Sequence, residues 1–215
     1  MINELLLNFA EWLGSQDYSQ MLLSGYYSYN WVEATHVLAL MVSLGMLFII
    51  DLRMLGLILP EMPASALAAR LNRPMWIGFT IMIVTGLLLF YAKPVESTQS
   101  LWFRFKMILL VAAAANAFFF HRHLKEAEGK WDNERKAPKP LRNGAILSLS
   151  LWSLVVFMGR CIPYDWVDCD KTSNRTILWA AGCVYELQAL ETAESPLEES
   201  ARLAVASVRE SGSEQ

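Results

Sequence analysis

Residues 30–59, "NWVEATHVLALMVSLGMLFIIDLRMLGLIL", decide the fold. A helix rising about 1.5 Å per residue crosses a hydrocarbon layer of about 30 Å with roughly 20 apolar residues, and this stretch supplies them. It also carries Glu33, His36, Asp51 and Arg53. A charged side chain at the centre of a bilayer costs on the order of 2.5–3.5 kcal/mol on insertion scales. These four groups are therefore expected to turn toward protein partners, a wet cavity or a bound ligand.

Working outward from this first span, Trp31 to Leu57, three more apolar stretches have the length to cross: Pro74 to Tyr91, Trp102 to Phe120 and Leu141 to Ile162. Pro74 suits a first helical turn, and Lys93-Pro94 marks the turn that ends the second span. With 54% hydrophobic and 18% charged residues in 215, the chain is too apolar for an ordinary soluble domain. The predicted fold class is all-α: an integral membrane four-helix bundle over residues 1–164, with a polar linker and amphipathic tail over 165–215. "MINELLLNFAEWL" places Ile2, Leu5, Leu6, Phe9, Trp12 and Leu13 at helical spacing, the pattern of an N-terminal interfacial helix. Near the tail, Pro196 separates two amphipathic stretches. The opening residues lack the pattern of a cleavable signal peptide, so insertion is expected to rely on the spans themselves.

Lys and Arg are retained on the cytoplasmic side of a membrane. Arg70, Arg73, Arg122, Lys125, Lys130, Arg135, Lys136, Lys139 and Arg142 all follow spans one or three, whereas the first thirty residues contain no Lys or Arg. Both termini are therefore expected on the periplasmic side of a bacterial inner membrane. A net charge of -3, with no basic patch interleaved with aromatic residues, excludes a nucleic-acid partner. Membrane lipids and other membrane subunits are the partners expected.

Because the spans alternate in direction, the ionisable residues sort by depth. Glu33, His36, Lys106, Arg160 and Tyr164 should gather at one end, and Asp51, Arg53, Arg73, His121 and His123 at the other. Glu33 and Asp51, eighteen residues apart, share a helical face about 27 Å apart along the axis. Glu33, His36, Asp51, Arg53, Lys106, Arg160 and Tyr164 are expected to form buried polar networks. A haem held by His36 and His121 is disfavoured, since about 20 Å separates them along the membrane normal. A haem b held by His36 with Met107 or Met158, or a quinone beside His36, fits the depth better. Glu33-x-x-His36 is also the spacing of carboxylate-bridged metal centres, although those need a second copy and further carboxylates. Of Cys161, Cys169 and Cys183, the first two are expected to close a short disulfide loop. "VAAAANA" offers Ala112 to Ala115 and Ala117 for close helix approach, and Trp31, Trp76, Trp102 and Trp152 an aromatic belt.

"WVEATHVLALMVSLGMLFIIDLRMLGL", "GFTIMIVTGLLLFYAKP", "FRFKMILLVAAAANAFFFHR" and "WSLVVFMGRCIPY" together resemble a family of small bacterial inner-membrane proteins known as a domain of unknown function. The resemblance runs from about residue 5 to residue 164, on E-x-x-H, D-L-R-x-L-G, F-R-x-K and G-R-x-x-x-Y in that order. It implies a four-helix membrane bundle and supplies no reaction. Its motif positions fall on Glu33, His36, Asp51, Arg53, Arg104 with Lys106, and Arg160 with Tyr164; the tail after about Asp165 is an addition to it. Three functions are expected in order: an accessory subunit of a larger membrane complex, an electron-transfer protein binding haem b or quinone near His36, and a solute or metal permease. No GxSxG, HExxH or Walker sequence points to a catalytic activity of its own.

Overall fold

The computed structural model describes residues 2–25, 27–126, 134, 136–164, 169–190, 192 and 193, with the backbone alone over 123–126. The break expected at Pro196 and the end of the tail lie outside the described residues. Helices α1 (Ile2–Gly14) and α2 (Asp17–Ser24) lead into α3 (Ser28–Met54) and α4 (Ala64–Ala92). A short α5 (Pro94–Thr98) precedes α6 (Leu101–Glu126), and α7 (Lys139–Cys161) ends in a 3-10 turn, Ile162–Tyr164. Helix α8 (Arg175–Ala181) follows, then helical residues 184–190. Four of these helices, Ser28–Met54, Ala64–Ala92, Leu101–Arg122 and Lys139–Tyr164, are long and apolar enough to cross a membrane. The chain is an all-α membrane helical bundle.

The spans pack as two hairpins, α3 with α4 and α6 with α7, and α3 joins them by packing on α7. Small residues set the approach. Buried Ser43 donates to Ala39 O at 2.6 Å, and a methyl group at Gly78 of α4 would collide with its Oγ. In the second hairpin Asn116 donates to Gly144 O at 3.1 Å, and Gly144 leaves room for the Phe120 ring. Of the alanines in "VAAAANA", Ala113 is buried, but Ala114, Ala115 and Ala117 face away from the chain. Tight packing there is a one-residue affair. Trp152 packs against Phe79 with ring centroids 5.3 Å apart and planes tilted by 49°, so it joins α7 to α4, whereas Trp31 and Trp76 are exposed.

Helix α4 starts at Ala64 rather than at Pro74, which lies inside it. At 29 residues it is about 43 Å long, more than the hydrocarbon needs. Its first turns are held by packing: Ala64 joins Met54, Ala137, Leu141 and Ala145 in a buried cluster. Arg53, 1% exposed, closes the same end, donating to Met62 O at 2.8 Å and Glu134 O at 3.2 Å. The loops after α3 and before α7 are thus pinned by one guanidinium.

At the opposite end, called here the α5 end, Arg104 plays the matching part. It donates to Thr98 O at 3.0 Å, Asn3 Oδ1 at 3.0 Å and Ala180 O at 3.1 Å, tying α5, α1 and α8 together. Asn3 in turn donates to Trp179 O at 3.0 Å. Asn174 caps α8 by accepting from Thr176 N, and Gly182 ends it at φ 82°, with the Arg104 guanidinium where a side chain would begin. Tyr185 donates to Glu11 at 2.9 Å, a bond that pushes the phenol pKa up. Helix α1 buries Leu7 and Ala10 against this assembly and leaves Ile2, Leu5, Leu6, Phe9 and Trp12 exposed, as an interfacial helix does.

The disulfide joins Cys169 to Cys183, with Cα atoms 5.5 Å apart, and Cys161 is free. The expected Cys161–Cys169 bridge is therefore replaced. Loop length hardly separates the two pairings, since closure entropy varies by only about 0.5 kcal/mol between them. Docking decides: Cys183, fully buried with Leu178 and Ala181, is brought onto Cys169.

Arg104→Ala removes three charge-assisted bonds, each on the order of 1.5–3 kcal/mol. The expected outcome is release of α1 and the segment after α8, read as faster proteolytic clipping of both ends with the spans intact.

Candidate functional site

Between the two hairpins, at the α5 end, lies a vestibule of about 960 Å³ to which all four spans contribute. Its wall includes Glu33 and His36 of α3, Gly86 and Phe90 of α4, Phe103 and Lys106 of α6, and Gly159 and Arg160 of α7, with Tyr164 and Cys169 to Lys171 beyond. The five ionisable residues that depth sorting assigns to this end, Glu33, His36, Lys106, Arg160 and Tyr164, all line it. Apolar positions alternate with them: Val37, Leu40, Leu89 and Val155. Phe90 and Phe103 stack on the wall with centroids 5.6 Å apart and planes 14° from parallel.

His36 is half-buried, and its Nδ1 lies 3.0 Å from Thr85 Oγ1. The Thr85 hydroxyl has one proton and directs it to the backbone, 2.7 Å from Ile81 O. Toward His36 it must therefore accept, which places the ring proton on Nδ1 and leaves Nε2 with a free lone pair in the neutral imidazole. Gly86 lets the ring lie down: a Cβ there would sit 3.2 Å from His36 Cε1. Lys106 occupies the other side, its Nζ 3.5 Å from where a Cβ of Gly159 would stand. Among the described residues its ammonium has neither a hydrogen-bond nor a carboxylate partner. An ammonium in such a place gains from any acceptor that enters.

The mouth is ordered by local pairs. Lys93 bonds Glu96 at 2.8 Å, which raises the Lys93 pKa, and lies 5.8 Å from the Tyr29 ring centroid. The Arg160 guanidinium lies 5.6 Å from the Tyr164 ring centroid.

Asp51 and Arg53 lie at the other end and are buried. The Ser148 hydroxyl bonds the Asp51 carboxyl, whose Oδ2 is buried without a partner. The expected buried polar network is thus two separate groups. At the α5 end Glu33, Arg160 and Tyr164 are exposed to an open vestibule, and His36 bonds Thr85 instead of Glu33, Lys106 or Arg160. Arg73 and His121 are exposed and do not gather around Asp51; the His123 side chain lies outside the described residues.

The expected haem ligands other than His36 are displaced. Neither Met107 nor Met158 lines the vestibule, and Met107 is 45% exposed on the outer surface of α6. Helical geometry explains both. Met107 and Met158 each neighbour a residue that does face inward, Lys106 and Gly159, and one step along a helix turns a side chain by about 100°. Thr85, Gly86, Gly159 and the Phe90–Phe103 pair are site residues that sequence reasoning passes over. A hydroxyl and two glycines inside apolar spans are their only signal, and packing explains such residues equally well.

Fold and site together define a multi-span helical membrane protein with a polar vestibule at one end. The chain belongs to a family of unknown function (DUF6644), whose sequence pattern matches residues 9–165. No curated protein and no solved structure matches it. Cys169 and Cys183 lie beyond the matched residues.

Histidine-selective nitrogen NMR should find the proton of the neutral His36 imidazole on Nδ1. Thr85→Val removes the acceptor and should leave the two tautomers mixed; an unchanged spectrum would refute the Thr85 bond. Gly86→Val should push the ring from the wall with the same spectral effect.

Proposed function

We propose that this chain is a membrane electron-transfer protein that binds a quinone in the vestibule. The observation that carries the reading is the convergence, on one space of mixed apolar and polar lining, of a Lys106 ammonium without a partner among the described residues and a free His36 Nε2. A quinone is an apolar ring with two carbonyl acceptors, which become hydroxyl donors on reduction. Lys106 donates to a carbonyl of the oxidised form, His36 Nε2 accepts from a hydroxyl of the reduced form, and Phe90 and Phe103 cover the ring. The haem b version is less well supported, because neither methionine expected as its second ligand lines the space. The permease reading is weaker too: the lining of α3 stops at Leu40, short of Asp51.

The orientation that fits this reading puts the α5 end in the periplasm of a bacterial inner membrane. Two independent arguments support it. The basic loops lie at the other end, and a disulfide persists in an oxidising compartment.

A second reading, accessory subunit of a larger complex, draws on α6. Only 6% of its span is buried within the chain, leaving Phe105, Ile108, Val111 and Phe118 to lipid or to another subunit. Co-purification at fixed stoichiometry after mild solubilisation tests it, and a partner-free, monodisperse protein speaks against it.

Quinone binding is read by quenching of tryptophan fluorescence with a short-chain quinone. Lys106→Met removes a charge-assisted donor worth about 1.5–3 kcal/mol, so affinity should fall roughly tenfold to a hundredfold. Saturable binding absent from the wild-type protein, or unaltered by both Lys106→Met and His36→Ala, would overturn the proposal. For orientation, a membrane-impermeant maleimide applied to reduced intact cells should label Cys169; protection until lysis would reverse it.

A further inference from the structure

We propose that Cys169 and Cys183 form a redox-active dithiol that the vestibule quinone oxidises, making the protein a quinone-linked thiol oxidase. The inference rests on the quinone reading above and adds to it a second substrate, an external thiol. Three observations carry it. Cys169, one half of the disulfide, lines the same vestibule as His36 and Lys106, so the sulfur pair borders the space assigned to the oxidant. Cys183 is fully buried and Cys169 partly exposed, which gives an entering thiol one accessible sulfur and protects the other. A Glu186 carboxylate oxygen lies within 4.8 Å of both sulfurs, and among the described residues Glu186 Oε2 is buried with no hydrogen-bond partner. An orphaned carboxylate beside a cysteine pair is a proton acceptor in place, directly or through one water.

The chemistry balances in two halves. An external thiolate attacks Cys169 Sγ; the Cys169–Cys183 bond breaks, a mixed disulfide forms, and Cys183 leaves as a thiolate. A second external thiol displaces Cys169, so the donor leaves as its own disulfide and the pair is reduced. In the return half the two thiols give up two electrons and two protons and reform their bond. The quinone takes both electrons, and its two carbonyl oxygens take both protons, yielding quinol. In the return half Glu186 takes the proton of the attacking cysteine thiol, since the thiolate is the nucleophile, and gives it up as the quinone oxygens are protonated. Lys106 stabilises the oxyanion that develops on the quinone as electrons arrive. No Cys-x-x-Cys is needed for this, because exchange depends on the accessible sulfur and its ionisation and not on sequence spacing.

The test uses the full chain in detergent with a short-chain quinone. Protein reduced by a dithiol and freed of excess reductant is mixed anaerobically with the quinone, and quinol is followed by absorbance. The expected result is quinol in stoichiometric amount with the disulfide reformed. Reduced wild-type protein alkylated with a small maleimide, which involves no substitution, should give none, and neither should Cys169→Ser with Cys183→Ser; Cys161→Ser should behave as wild type. Glu186→Gln should slow the reaction about a hundredfold at neutral pH and flatten its rise with pH. Quinone that binds the reduced wild-type protein yet stays oxidised would overturn this inference and leave the binding reading standing. Quinone that fails to bind would overturn both. Quinol formed equally by the alkylated protein would assign the electrons to another source and overturn the dithiol.

Discussion

Water is absent from the hydrocarbon layer, and every polar group placed there must find a partner in the protein or a route back to water. The arrangement of this chain follows from how its charged groups meet that demand. Arg53 satisfies it with backbone carbonyls from two loops, and in doing so fixes one end of the bundle. Arg104 satisfies it with carbonyls and an amide from three separate elements, and fixes the other. Each guanidinium presents several donors in a rigid fork, which lets a single side chain hold loops that share little apolar surface. With both ends clamped, two helical hairpins touch mainly along α3 and α7 and leave a gap between them at the α5 end.

That gap is where the remaining ionisable residues take the second route, solvent access. Glu33 and Arg160 reach the open mouth, while His36 and Lys106 sit deeper on facing helices. His36 is held by Thr85 through one nitrogen and keeps the other free; among the described residues Lys106 has no hydrogen-bond or carboxylate partner and lies beside the space that Gly159 provides. Such a site suits the quinone proposed above, a mostly apolar ring that carries acceptors. Cys169 of the disulfide lines the same vestibule, and it, Cys183 and the nearby Glu186 carboxylate come from a segment beyond the residues that match the family.

Much of this was legible in the residues. Four apolar runs and the alternation of direction sorted Glu33, His36, Lys106, Arg160 and Tyr164 to one end, because depth in a membrane is a one-dimensional coordinate that sequence position tracks at a fixed rise. Hydropathy read the second span from Pro74, since it detects apolar residues and not helical hydrogen bonds; the polar turns from Ala64 to Arg73 continue the same helix. Pro74 reads as a boundary in sequence because the packing of Ala64 on Met54 and Leu141, which holds the earlier turns, joins residues far apart in the chain.

The sequence by itself determined the all-α membrane bundle and its four helices long and apolar enough to cross, because hydrophobicity and helical rise are local properties. Tertiary structure alone decided which way the titrating groups face and whom they meet. It turned Met107 and Met158 away from His36, gave His36 to Thr85, separated Asp51 from the vestibule and joined Cys183 to Cys169 in place of Cys161. Rotation about a helix axis and the docking of distant segments are set by packing between elements, and a step of one residue changes a side chain's direction by about 100°.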